Sequence, residues 1–337
     1  MSRGPIVSVV TPCFNEVEVI GETYRRIAET CRRYGPSWEI VFVNDGSTDR
    51  TWSAIESICQ NDSQVVGVNL SRNHGHQVAL TAGLTVARGE RIFILDADLQ
   101  DPPELLPEMM KLMDEGCDVV YGVRKHRSGE TWLKIKTAMI FYRILRQISD
   151  FDIPVDTGDF RLMSRRALNV FLAMPERHRF VRGMVSWIGF RQCPLAYERQ
   201  ARFAGHSKYP FMKMVRFAFD AITGFSIKPL KIAIYLGAVT GAMALVCVAY
   251  VIWSWTQGAT VAGWPSLMFV VLLLGSVQLF VLGIIGEYLG QIFVESKRRP
   301  LFIIDEICRS GESLEAAAGI SPEKSLAENP AAETGGR

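Results

Sequence analysis

From Ile232 to Trp255 ("IAIYLGAVTGAMALVCVAYVIWSW") the chain carries no charged residue, and a second such run extends from Val261 to Gly286. Each exceeds the roughly 20 apolar residues that an α-helix needs to cross a hydrocarbon core. A soluble fold can bury one helix of this kind. Two in succession, joined by the uncharged "TQGATVAGW", read as a transmembrane hairpin. Lys228 and Lys231 precede the first run, and Lys297, Arg298 and Arg299 follow the second. Positive flanks predict that both ends lie in the cytoplasm and the linker outside, with Trp253, Trp255 and Trp264 at the outer interface. Glu287, just past the second run, is read as structural, either snorkelling to the interface or paired with Lys228 or Lys231.

The rest of the 337 residues leaves room for a globular domain before the hairpin. A net charge of +2 is too small to suggest nucleic-acid binding. The seven cysteines (Cys13, Cys31, Cys59, Cys117, Cys193, Cys247 and Cys308) form no CxxC pair, which predicts reduced cytosolic thiols rather than a disulfide framework or a zinc site. No signal peptide is expected, because Met1 to Pro5 leads straight into a strand-like run.

Strand and helix signals alternate over the first two hundred residues, as in α/β domains. "IVSVVTPCFN", "EIVFVNDGS" and "ERIFILDAD" are short apolar runs closed by turn residues. "EVEVIGETYRRIAETCRRYG" places Ile20, Tyr24, Ile27 and Cys31 at helical spacing, and "STDRTWSAIESICQ" opens with a Ser/Thr/Asp cap. The expected layout is a cytoplasmic catalytic domain over 1–210, a juxtamembrane amphipathic segment over 211–231 and transmembrane helices at about 232–255 and 264–286 within 232–290. A cytoplasmic tail over 291–337 is expected to be disordered after about 310, where small polar residues dominate.

Ligands of open α/β sheets sit beyond the carboxyl ends of the strands, and the polar residues here collect at those ends. GxGxxG is absent, which disfavours a dinucleotide site, and GxxxxGK[ST] is absent, which removes the ordinary P-loop enzymes. Asp96 and Asp98 in "FILDADLQDPPE" are spaced so that an extended segment turns both carboxylates one way. Magnesium or manganese takes a few such oxygens and completes its shell with water and phosphate. Solvated carboxylates or a helix cap would look the same in isolation. Asp101, before Pro102 and Pro103, reads as a cap.

"TPCFNE", "VNDGSTD", "DADLQDPPE" and "TGDFRLMSRRAL", in this order, resemble family 2 glycosyltransferases of the GT-A fold, over residues 6 to about 210. "RFAGHSKY" and the hairpin bring the likeness closer to bacterial polyprenyl-phosphate glycosyltransferases, relatives of dolichol-phosphate mannose synthases. The resemblance implies a Rossmann-like mixed sheet flanked by helices. It also implies inverting transfer from a nucleotide-diphosphate sugar, UDP-glucose by analogy, to undecaprenyl phosphate at the bacterial inner membrane, in a homotetramer. It assigns Pro12, Phe14, Asn15 and Glu16 to the nucleoside pocket, Asp45 to base or ribose, Asp96 to ribose and metal, and Asp98 to a Mg2+ or Mn2+ ion on the diphosphate. Asp159 takes the place of a catalytic base, Arg161 steadies a phosphate, and Arg202, Ser207 and Lys208 approach the diphosphate. His74 and His76 fall in a loop that contacts nucleotide or sugar rather than metal.

An acceptor phosphate is already anionic, so Asp159 is expected to position substrates rather than take a proton. Arg124, Lys125 and Arg127 form a basic loop suited to the lipid phosphate. Trp132 to Gln147 and "FMKMVRFAFDAITGFSIKPL" mix apolar and basic residues as interfacial helices do. A processive polysaccharide synthase is disfavoured by the missing QxxRW and by having two spans. A silent nucleotide-binding scaffold is disfavoured by the intact Asp45, Asp96, Asp98 and Asp159.

Overall fold

A computed structural model of the chain describes residues 4–35, 37–124, 157–198, 228–258, 263–310 and 312–315. These fall into two units. One holds the sheet, its helices and the described residues from 299 to 315; the other holds the long helices of 228–298.

The first run forms β1 (Val7–Cys13), in which every residue is buried, as in a strand covered on both faces. β2 (Trp38–Asn44) is equally buried. β3 (Val65–Leu70) and β4 (Arg91–Ile94) complete a parallel core: β1 lies between β2 and β4, and β2 pairs with β3. Sheet direction of travel therefore reverses between β1 and β4, the position at which such sheets open a ligand crevice. β5 (Val119–Arg124) and β6 (Thr157–Ser164) extend the sheet beyond β4. β6 runs antiparallel to both β4 and β5, while β7 (Gln192–Tyr197) is parallel to β5. Because β6 is antiparallel, it begins at the edge where β1, β2 and β4 end.

The helices pack as their periodicity predicts. α1 (Ile20–Tyr34) buries Ile20, Ile27 and Cys31 and turns Arg25 outward between Glu22 and Glu29; such exposed pairs add little stability. α2 (Thr51–Asn61) buries Ile55 and Cys59. Arg50 stands at its N-cap, and Asp49, one residue earlier, accepts the Thr51 N–H at 2.9 Å. α3 (His76–Val86) lies against β1 and β2, followed by α4 (Leu106–Asp114), α5 (Arg165–Ala173) and α6 (Val181–Trp187).

Two expectations are corrected. Asp101 does not cap the following helical turn: Pro102 holds that position without a side-chain cap, and the Asp101 carboxylate is buried, accepting the Tyr197 hydroxyl. Cys117 and Cys193 form a disulfide rather than two thiols. They stand 76 residues apart in sequence, and the parallel pairing of β5 with β7 brings their Cα atoms to 6.1 Å. The start of the tail joins the catalytic sheet, and the residues after 315, expected to be disordered, lie outside the described residues. β8 (Ile304–Arg309) pairs antiparallel with β3, and β9 (Glu312–Glu315) pairs with β8, giving nine strands in the order β7-β5-β6-β4-β1-β2-β3-β8-β9. Phe302, Ile304 and Cys308 are buried there, so "LFIIDEICR" has apolar residues that join the core, and α2 packs against β8.

In the second unit, α7 (Lys228–Thr256) and α8 (Trp264–Ser296) are long, apolar and in contact with each other. Leu230–Ser254 and Val270–Ser296 are long and apolar enough to cross a membrane. Leu245 and Leu279 are each 73% exposed, a degree of bare apolar surface that water does not tolerate over such an area. α8 continues past the expected end at 286, so Glu287 lies within the helix. The basic residues Lys125 and Arg127, the amphipathic segment Trp132 to Gln147, the segment 211–227, and Arg202, Ser207 and Lys208 lie outside the described residues.

Candidate functional site

The carboxyl ends of β1, β2 and β4 meet the start of β6. At the end of β1, Asn15 takes a left-handed backbone (φ 55), which asparagine tolerates. Its side chain accepts the Thr48 N–H at 2.8 Å, and its own N–H donates to Ser47 Oγ at 2.9 Å. The Glu16 N–H donates to Thr51 Oγ1 at 2.9 Å. These bonds lock the "TPCFNE" and "NDGSTD" turns together, with Pro12 buried and Phe14 and Glu16 half-buried at the rim.

Asp45, 2% exposed, accepts the backbone N–H groups of His74 at 2.7 Å and Gly75 at 3.0 Å. Burial raises its carboxyl above the ordinary value, and the two N–H bonds pull it back. Asp45 therefore holds the 72–75 loop just ahead of α3. Gly46 is tied to the same loop: its φ is +61, and a Cβ there would stand 2.4 Å from Arg72 C and Asn73 N.

Running the β4–β6 register two residues beyond Ile94↔Arg161 sets Asp96 opposite Asp159. His76, the first residue of α3, lies between them, with Nε2 3.4 Å from Asp96 Oδ1 and 3.3 Å from Asp159 Oδ2. Asp159, 4% exposed, also accepts from Gln77 Nε2 at 2.8 Å and Arg182 Nε at 3.1 Å, with Arg161 Nη2 3.8 Å away. Gln77 Oε1 accepts the Val181 N–H at 3.0 Å, which ties the start of α6 to the same carboxylate.

Opposite charges decide the protonation states. Burial works against ionised Asp159, but Arg182, His76 and Arg161 outweigh it and hold the carboxyl well below the ordinary range. Burial likewise opposes the His76 cation, and Asp96 and Asp159 overcome it, raising the imidazole to about 9. Asp96 is the reverse case: burial raises it to about 6, with His76 only partly offsetting this. Arg161 is lowered to about 10 by burial. The site at neutral pH is thus an ion cluster in which Asp159 is a poor proton acceptor.

Asp98 follows Asp96 in a turn, not on an extended strand, so strand alternation does not turn the two carboxylates one way. Asp98 Oδ1 accepts the Gln100 N–H at 3.1 Å, and Leu99 between them has φ 55, a strained conformation for a bulky residue. Asp96 Oδ1 is buried and accepts no hydrogen bond. An unsatisfied hard oxygen beside a second carboxylate suits Mg2+ or Mn2+. No cluster of three or more His, Cys, Asp or Glu capable of holding a metal occurs among the described residues, so any such ion would draw most of its shell from substrate and water.

Among the predicted residues, Asp96, Asp159 and Arg161 come together, and Asp98 adjoins them. Arg124 ends β5 at the same edge of the sheet. Arg182 and Gln77 were missed. "RHRFVRGM" and "HGHQVAL" carry no motif that marks these two residues, and their roles arise from tertiary packing on Asp159. His76 was placed in a loop and stands instead at the head of α3.

The description Glycosyl transferase family 2 matches residues 8–172, and the GtrB C-terminal hairpin matches residues 228–292. The uncharacterized glycosyltransferase YkcC of Bacillus subtilis is 46% identical over 309 residues, 91% of this chain and 95% of that one. The bactoprenol glucosyl transferase of Shigella phage SfV is 40% identical over 299 residues, 88% of this chain and 97% of that one. A solved structure, glucosyl-3-phosphoglycerate synthase from Mycobacterium tuberculosis in complex with Mn2+, UDP and phosphoglyceric acid, is 20% identical with a TM-score of 0.46, covering 65% of this chain and 77% of that one.

Proposed function

Since this chain belongs to glycosyl transferase family 2 and carries a GtrB-type hairpin, we propose that it transfers a sugar from a nucleotide diphosphate to the phosphate of a polyprenyl lipid. The donor is UDP-glucose and the acceptor undecaprenyl phosphate, a reading supported by the bactoprenol glucosyl transferase at 40% identity. The observation that carries the mechanism is the clamp on Asp159. A carboxylate gripped by Arg182, His76 and Arg161 cannot serve as an effective base near neutral pH. A lipid phosphate needs none, because it arrives ionised. Asp159 instead fixes the cations around it, and the reaction is a single displacement with inversion at the sugar carbon.

Asp96 and Asp98 hold a divalent cation in this reading. Bound there, Mg2+ or Mn2+ supplies Lewis-acid neutralisation of the leaving diphosphate. The turn residues Pro12, Phe14, Asn15 and Glu16, with the loop held by Asp45, form the nucleoside side of the pocket. Arg161 contributes positive charge beside the diphosphate, and Arg124 faces the acceptor phosphate, with Lys125, Arg127, Arg202, Ser207 and Lys208 assigned by motif. α7 and α8 cross the bacterial inner membrane, and the lysines and arginines at their ends keep the catalytic unit cytoplasmic.

The test offers full-length protein in detergent a panel of nucleotide sugars with undecaprenyl phosphate and Mg2+, and follows which label enters the organic phase. Transfer from UDP-glucose alone is the expected result. Transfer from another donor would overturn the sugar assignment, and absence of lipid product with every donor would overturn the acceptor.

A further inference from the structure

Arg124 and Tyr197 end the neighbouring parallel strands β5 and β7 and are register partners. The Arg124 Nε donates to the Tyr197 hydroxyl oxygen at 3.4 Å, and that hydroxyl donates its proton to Asp101 Oδ1. Tyr197 is 4% exposed and Asp101 only 1%. A carboxylate so deeply buried is costly unless its charge is balanced, and the Arg124 cation acts on it electrostatically. Burial, then the neighbouring carboxylate, raises the Tyr197 phenol above its ordinary value, so it keeps the proton that it donates. The relay is therefore directional: guanidinium to phenol oxygen, phenol proton to carboxylate.

The surroundings hold this relay in place. The Tyr197 ring packs on Phe160 with centroids 5.2 Å apart, and Phe160 packs on Phe93 at 5.3 Å. Gly158, directly before Asp159, leaves space for the guanidinium: a Cβ there would lie 2.9 Å from Arg124 Nη2. Among the described residues, the guanidinium makes no hydrogen bond other than the one through Nε. One edge of the fork is thus anchored, and the two terminal amino groups remain, the geometry that receives two phosphate oxygens.

We infer that Tyr197 and Asp101 are positioning residues that hold the Arg124 guanidinium ready for the acceptor phosphate. The inference rests on the assignment of Arg124 to that phosphate made above. Fixing the long side chain in advance removes an ordering cost that binding would otherwise carry, so loss of the relay weakens acceptor binding and leaves donor binding alone.

The test measures acceptor KM, donor KM and kcat on the full-length protein, using undecaprenyl phosphate and the donor that the panel identifies. Tyr197→Phe keeps the ring packing and removes the relay. It is expected to raise acceptor KM on the order of tenfold, the size of a lost hydrogen bond to a charged group, with donor KM within about twofold. Tyr24→Phe, which removes a Tyr–Asp bond of 2.7 Å remote from the site, is the matched control and leaves both constants unchanged. Asp101→Asn retains a partner for the phenol without the charge, and serves if Tyr197→Phe fails to fold; a smaller rise confined to the acceptor is expected. If Arg124→Ala raises acceptor KM while neither relay variant does, the inference fails and the Arg124 assignment stands. If Arg124→Ala leaves acceptor KM unchanged, the assignment itself fails and takes the inference with it. Equal loss in donor and acceptor KM would mark a merely structural role and overturn the proposal.

Discussion

Replacing His76 with glutamine removes the cation that stands between Asp96 and Asp159 while keeping a side chain of similar reach. The imidazole rises from 6.5 to about 9 in the folded protein, which sets an upper bound of about 3 kcal/mol on its electrostatic contribution. The side chain is 33% exposed, and solvent screening brings the expected figure to about 2 kcal/mol. Because the folded pKa lies above the unfolded one, this stability is fully present below pH 6.5 and disappears as pH rises through about 9. Asp96 itself begins to protonate near 6, so the useful window runs from about pH 7 to pH 10. For a catalytic unit of this size, 2 kcal/mol corresponds to a Tm difference of about 4–8 °C. Thermal unfolding of wild-type and His76→Gln protein, full-length, in detergent and chelator, is expected to show that difference at pH 7 and its collapse by pH 10. A difference that persists unchanged at pH 10 would mean that packing, not charge, holds His76, and would refute the account of the ion cluster.

Gly46→Ala forces a Cβ into the backbone of Arg72 and Asn73 at positive φ; a loss of about 2 kcal/mol or more is expected in thermal unfolding, with a higher donor KM as the loop shifts. Asp98→Ala is expected to lower lipid glycosylation at least about a hundredfold, and chelator to abolish it until Mg2+ or Mn2+ is restored; full turnover in chelator would remove the metal from the mechanism. Denaturing alkylation without reductant, read by intact mass, is expected to label five of the seven cysteines. Seven labels would return Cys117 and Cys193 to the thiol state.

The parts of the fold that were legible in the sequence are those governed by local chemistry. β1, β2 and β4 announce themselves as β-branched runs closed by turn residues, α1 as a 3.6-residue period, and the apolar helices by length alone. What escaped was set by partners distant in the chain. Asp101 looks like a cap because proline follows it, yet Tyr197, 96 residues later, takes its carboxylate. Arg182 joins the site by its own bond to Asp159, beside the Gln77 link from the start of α6 to the same carboxylate. The Cys117–Cys193 bond depends on β7 choosing β5 as its neighbour, and no spacing rule encodes that choice. Asp96 and Asp98, singled out by their spacing, lie past the end of β4 in a turn, so strand alternation does not relate their side chains.

β8 and β9 come from beyond the two apolar helices and join a sheet whose other seven strands all precede them. A single folded body therefore owns both the entrance to and the exit from the hairpin. The sheet's last partner also emerges from the ribosome after the apolar helices, which makes closure of that edge a late event in synthesis.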